Sequence, residues 1–153
     1  MRRPLLSVRP SVSPPPPPSV QGRSFQPLLE GKPWPSHDAV FAEKTHHCHY
    51  DPMRCIRTRT HKYIFNFGQL RPIEIPSDVE MDTLASVPKL HRSRRPMAEL
   101  HDLVNDPLER ENLAGSPESA ALEADLKARL HDFLKGTEDA LLNGVLPIPK
   151  YLG

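Results

Sequence analysis

The residues best equipped for chemistry lie between Val40 and Phe67, where His46, His47, Cys48 and His49 form an unbroken run and Cys55 follows. Imidazole and thiolate are ligands that zinc accepts. The spacing argues against a metal site, because neighbours in an extended segment point to opposite sides and neither a C-x-x-C nor an H-x3-H pair accompanies the run. Charged groups surround it: Glu43, Asp51 and Arg54 lie within reach, and Arg54 offers a planar fork suited to a carboxylate or a sulfate. The competing role for Arg54 is an internal salt bridge with Asp51 or Glu43. A second charged group is the basic run Lys89-Leu90-His91-Arg92-Ser93-Arg94-Arg95, which reads as a solvated loop or as a contact for an anionic glycan. Two cysteines do not compel a disulfide, and Cys48 and Cys55 are read as thiols.

The elements that must hold these groups show in the alternation of side chains. Met53, Cys55 and Arg57 fall on one face of an extended run and Arg54, Ile56 and Thr58 on the other. Tyr63, Phe65 and Phe67 alternate with Ile64 and Asn66. The pattern predicts a hairpin reversing near Arg59, Thr60 and His61, without the Asn-Gly that fixes a two-residue turn. Ala98 to Leu103 suits one more strand, ended by a turn at Asp106-Pro107. Between them, prolines at 72, 76, 88 and 96 predict a long surface excursion, with one or two helical turns over Asp78 to Leu84.

The last long element is a helix. Ser116 can cap it and Pro117 suits its first position, where a missing N–H costs nothing. Leu122, Leu126, Leu130, Phe133 and Leu134 recur on one stripe, Glu123–Lys127 and Asp125–Arg129 are spaced as outward ion pairs, and Gly136 is a natural stop. A single apolar stripe and a single apolar sheet face imply each other, so the expected fold is α+β: a small antiparallel sheet against a C-terminal helix, in two layers.

Length and charge bound the rest. The 153 residues leave room for one domain. The 19 prolines reduce the ordered part, and the run Pro14 to Pro18 marks residues 1–19 as a disordered segment favouring polyproline II, with the folded subdomain over 20–153. A net charge of +1 gives no global field for nucleic acid or a membrane surface. No apolar run approaches the roughly 20 residues that span a bilayer. Met1-Arg2-Arg3 has the charge of a signal peptide's first region but no apolar core after it.

A family resemblance rests on four blocks in order. Glu43, Thr45, His47, Tyr50, Pro52, Arg54, Ile56, Arg57, Thr58, Lys62 and Tyr63 have the order and spacing seen near the C-terminus of sulfatases, especially those similar to heparan N-sulfatase. Gln21 to Phe25 with Leu28 and Leu29 resembles the connector into that subdomain. Glu99 to Leu103, continued by Asp106, Pro107, Glu109, Asn112, Leu113 and Ala114, is similar to the family signature, with His101 where members show Tyr. The stretch Leu141 to Pro147 resembles the segment after the last helix in bacterial members.

The resemblance implies an enzyme part. Sulfatases hydrolyse sulfate esters or N-sulfates with calcium and a formylglycine made from the Cys of a C-x-P-S-R motif, and neither Cys48 nor Cys55 stands in one. It therefore implies that nucleophile and metal ligands belong to a catalytic domain outside this chain, that the sheet's far face is covered by that domain, and that the chain alone is inactive and poorly soluble. It also implies a substrate-facing role for Glu43, His47 and Arg54 toward a sulfated glycan, and a periplasmic, secreted or lysosomal location. A free-standing module for anionic glycans and a small metal-binding protein are the competing readings.

Overall fold

The computed structural model describes residues 24–46, 50–68 and 95–144. The chain divides into two compact units, Met1–Ser36 and His37–Gly153. In the first, Pro27 starts a one-turn helix α1, Gln26–Leu29, and the Trp34 indole N–H donates to the Ser24 carbonyl at 2.7 Å.

The second unit holds β1 (Val40–His46), β2 (Tyr50–Arg57), β3 (His61–Asn66) and β4 (Ala98–Asp102), antiparallel neighbours in that order. Register fixes which side chains share a face. Phe41 lies opposite Ile56, Ile56 opposite Tyr63 and Tyr63 opposite Leu100, a row that crosses all four strands on one face. In place of an Asn-Gly turn, the Thr58 hydroxyl accepts the N–H groups of Thr60 and His61, and the Thr58 N–H donates to the His61 carbonyl. That side chain supplies the turn contacts that the sequence lacked in glycine form.

The outer edge of β4 is covered. The Leu100 N–H donates to Asn112 Oδ1, the Leu113 N–H to the Leu100 carbonyl, and Asn112 Nδ2 to the Ala98 carbonyl. A sheet edge with its ladder groups met in this way is closed to pairing with another strand. The turn that ends β4 is built on Asp102, whose carboxylate accepts the N–H groups of Val104 and Asn105, and a second turn follows at Asp106-Pro107, where the Glu109 N–H donates to the Asp106 carbonyl.

Ser116 caps the C-terminal helical region as its position predicts, accepting the Ser119 N–H. Pro117–Ser119 forms a 3-10 turn that runs into α2, Ala120–Gly136. Leu126, Leu130 and Leu134 are buried against Ile56, Tyr63 and Leu100, and Leu122 and Phe133 pack at the margin. Each fully buried leucine stabilises the fold by about 1.5–3 kcal/mol. The outcome is the expected α+β arrangement, the sheet packed against α2.

Details of the helix differ from its pattern. Gly136 is the last helical residue, and the left-handed conformation sits at Glu138, φ 54°. Thr137 ends the helix with its hydroxyl on the Phe133 carbonyl. Glu123 accepts the Gly115 N–H, and Arg129 binds Asp38 at 2.8 Å with Asp125 at 3.8 Å. The Asp125–Arg129 pair therefore forms as its spacing predicts, with Asp38 the closer partner, whereas Glu123 is taken by the turn before the helix.

Away from the helix, Ala42, Cys55, Ile64 and Glu99 form the central row of the sheet's other face. Ala42 is exposed and the rest are half-buried. Glu109, held at φ 53°, pairs with Lys62 and lies 3.6 Å from Arg57 at one end of that face. Asn66 Nδ2 donates to Glu99 and to the Pro96 carbonyl toward the other.

Candidate functional site at the end of the β1–β2 hairpin

Strand alternation sends Arg54 to the helix side of the sheet, in the row of Glu43 and Phe65. There the chain leaving α2 presents Asp139. Arg54 Nε donates to Asp139 Oδ2 at 2.6 Å and its Nη2 to Oδ1 at 3.2 Å, a two-pronged charge-assisted contact. Arg54 Nη1 donates to the Lys44 carbonyl, the Thr45 hydroxyl and the Met53 carbonyl at 3.1, 3.2 and 2.9 Å. Both side chains are buried, 4% and 7% exposed. One guanidinium thus joins β1, β2 and the turn beyond α2.

Burial by itself would raise the Asp139 carboxyl pKa, but the Arg54 hydrogen bonds, the Leu141 N–H and the Arg54 charge hold it below the usual value. Glu43 is a lesser partner, with Oε2 3.7 Å from Arg54 Nε and a side chain 74% exposed. Asp51, the other sequence candidate for Arg54, is engaged elsewhere: Oδ2 accepts Lys44 Nζ at 2.8 Å and Oδ1 accepts Arg95 Nη2. Burial pushes its pKa up, yet the hydrogen bonds and charges of Lys44 and Arg95 bring it below the usual range.

Arg95 is the end of the basic run, and it is buried in this ion pair rather than solvated. The rest of the run, Lys89 to Arg94, lies outside the described residues, as do His47, Cys48, His49 and the turns expected over Asp78 to Leu84. His46 packs beside Tyr50, ring centroids 5.1 Å apart. Among the described residues, His46 Nε2, Arg95 Nε and Asn66 Oδ1 are buried without a hydrogen-bond partner. No three His, Cys, Asp or Glu side chains among the described residues are grouped to hold a metal ion.

Cys55 is a free thiol on the other face of β2, and burial pushes its pKa up. His101 is buried on β4. Its Nδ1 bonds the Glu111 carbonyl at 2.8 Å, so that nitrogen carries the hydrogen, and Nε2 is 3.7 Å from Glu99. A histidine at this position therefore tethers the segment covering β4. Asp139 and Asn112 escaped sequence reasoning as partners. The signal for Asp139 as a local cap, an acid two residues before the Leu141 N–H it accepts, was present; the signal for its contact with Arg54 was not.

No protein-family model matches the chain. Over 140 residues, 87% of this chain, it is 30% identical to an ulvan-active sulfatase of Formosa agariphila, covering 28% of that protein. This chain is similar in sequence to part of a sulfatase. It also shares its fold with part of a 2-O GAG sulfatase, TM-score 0.61 at 22% identity over 89% of this chain and 24% of that one. A putative sulfatase from Bacteroides thetaiotaomicron gives TM-score 0.62 with the same identity and coverage. A third structure, holding its substrate D-glucosamine-2-N,6-O-disulfate, gives 0.55 at 22% identity over 80% of this chain and 21% of that one. The chain thus spans about a quarter of the length of these relatives. Among the described residues no helix is long and apolar enough to cross a membrane.

Proposed function

We propose that this chain is the C-terminal part of a sulfatase of the heparan N-sulfatase kind, acting on sulfated glycans together with a catalytic part that supplies the formylglycine nucleophile and calcium. The observation that carries this reading is the 30% identity over 140 residues to a sulfatase of which this chain covers 28%. The described residues do not fit the metal or the nucleophile. They include no grouped ligand set, and Cys55 is followed by Ile56, Arg57 and Thr58 rather than by the modification motif. Hydrolysis therefore falls to the catalytic part, and this chain contributes to substrate binding at the hairpin end.

There the exposed Glu43 carboxylate is suited to accept hydrogen bonds from sugar hydroxyls. Arg54 acts from beneath, since its guanidinium is engaged with protein acceptors. The buried nitrogens of His46 and Arg95 without partners support a polar ligand at this end, because an unmet buried polar group gains by meeting one. His47, the third residue of the sequence-derived set, lies outside the described residues.

The test is hydrolysis of a chromogenic aryl sulfate with calcium by the chain alone and by the chain mixed with a separately expressed catalytic part of a related sulfatase. The expected result is no turnover alone and turnover in the mixture above that of the catalytic part by itself. Turnover by the chain alone would overturn the reading.

A further inference from the structure

We infer that Asp139 is a positioning residue that acts through Arg54 to hold the end of β1 around Thr45. Three observations converge on it. Asp139 takes two of the Arg54 N–H groups, which orients the guanidinium plane. With the plane fixed, Nη1 faces the Lys44 carbonyl and the Thr45 hydroxyl, the last residues of β1 before His46. That stretch also needs an external brace, because the β1–β2 register shifts between Lys44 and His46, where an irregular strand has lost part of its regular ladder support.

The carboxylate is itself fixed. Asp139 Oδ1 accepts the Leu141 N–H at 2.9 Å, and the Asp139 N–H donates to the Leu134 carbonyl at 2.8 Å, so the brace is anchored to the end of α2. Leu134 and Leu141 are buried, which makes that anchor part of the core. A binding edge supported by a second layer of hydrogen bonds keeps its geometry without spending ligand affinity on ordering it. The inference rests on the sulfatase reading only for the identity of the ligand. The mechanical link from Asp139 to Thr45 stands on the geometry.

The experiment uses the full chain, as wild type and as Asp139→Asn, Thr45→Val and the double variant. Two readouts are taken: amide hydrogen exchange, and binding of D-glucosamine-2-N,6-O-disulfate as the probe. Asp139→Asn keeps the shape and removes the charge that orients Arg54. Thr45→Val leaves the Arg54–Asp139 contact whole and removes the side-chain attachment at the far end of the link, leaving the bond to the Lys44 carbonyl. Both are expected to raise exchange over residues 43–46 roughly tenfold beyond any change in the rest of the sheet and to weaken the probe about tenfold. The double variant is expected to do little more than either, since the two act in one chain of contacts.

Equal exchange at 43–46 in all four proteins, or an increase no larger there than across β3 and β4, would overturn the inference. If Asp139→Asn does not fold, Thr45→Val decides by the same criterion. If the wild type fails to bind the probe, the sulfatase reading loses its substrate. The exchange pattern at 43–46 then still decides the positioning role by itself.

Discussion

Phe41 on the edge strand and Phe133 on α2 stack face to face, with ring centroids 3.8 Å apart and planes within 2°. Phe133 sits at the margin of the leucine stripe and Phe41 at the outer end of the row that crosses the sheet. Their contact ties β1, the edge strand beside β2, directly to the helix.

From this, Phe133→Ala is expected to destabilise the chain by about 3 kcal/mol in urea unfolding, in the range for removal of a large core aromatic. Phe41→Ala should cost somewhat less, since its strand is an edge. A double-mutant cycle should return a coupling of about 0.5–1.5 kcal/mol. Additive losses would show that the two rings contribute only their separate burial.

The leucine stripe gives a second contrast. Leu126→Ala or Leu130→Ala should cost about 2–5 kcal/mol, because each leaves a cavity against Ile56, Tyr63 and Leu100. Leu108→Ala, at a side chain 68% exposed, should fall within about 0.5 kcal/mol of the wild type. Thermal unfolding of the three variants checks the ranking.

Acid stability depends on Asp139 and Asp51, whose carboxyl pKa values are both depressed in the folded chain by their cationic partners despite burial. A depressed carboxyl pKa contributes stability that is present above the unfolded value of about 3.9 and is lost as pH falls through the folded value. Unfolding free energy is therefore expected to hold between pH 7 and 5 and to fall steeply below about pH 4. Asp139→Asn should lower stability at pH 7 and flatten that acid slope, which urea titrations at stepped pH would measure.

Thiol chemistry gives a fourth prediction. The Cys55 pKa is raised by burial and further by Glu109, against the lowering influence of Lys62 and Arg57. In a Cys48→Ser variant, where Cys55 is the remaining cysteine, labelling by a maleimide or disulfide reagent at pH 7 should be slower than for an unhindered thiol by about tenfold or more. Rapid labelling would show that β2 opens readily from its neighbours.

The sequence alone determined the local elements. Period-two alternation placed β2 and β3, the stripe of leucines placed α2, and Ser116 and Pro117 marked where its helical region starts. Such signals are local: a strand face or a helix stripe repeats within a few residues, so the chain carries its own record of which side is buried. The two-layer α+β arrangement was legible for the same reason, because one apolar stripe and one apolar face leave little else to pack against.

Only the tertiary structure decided the partners. Arg54 meets Asp139 at 2.6 Å and Glu43 only at 3.7 Å, Asp51 meets Lys44 and Arg95, and Asn112 rather than another strand closes the edge of β4. A long charged side chain on a sheet has several neighbours within reach of its charge. Which of them it binds depends on where a remote turn comes to rest, and that is set by the packing of α2 on the whole sheet. The candidate residues at the hairpin end were legible as types, whereas the division between an exposed Glu43 and an Arg54 buried beneath it was not, because burial belongs to the assembled layers and not to any one stretch of chain.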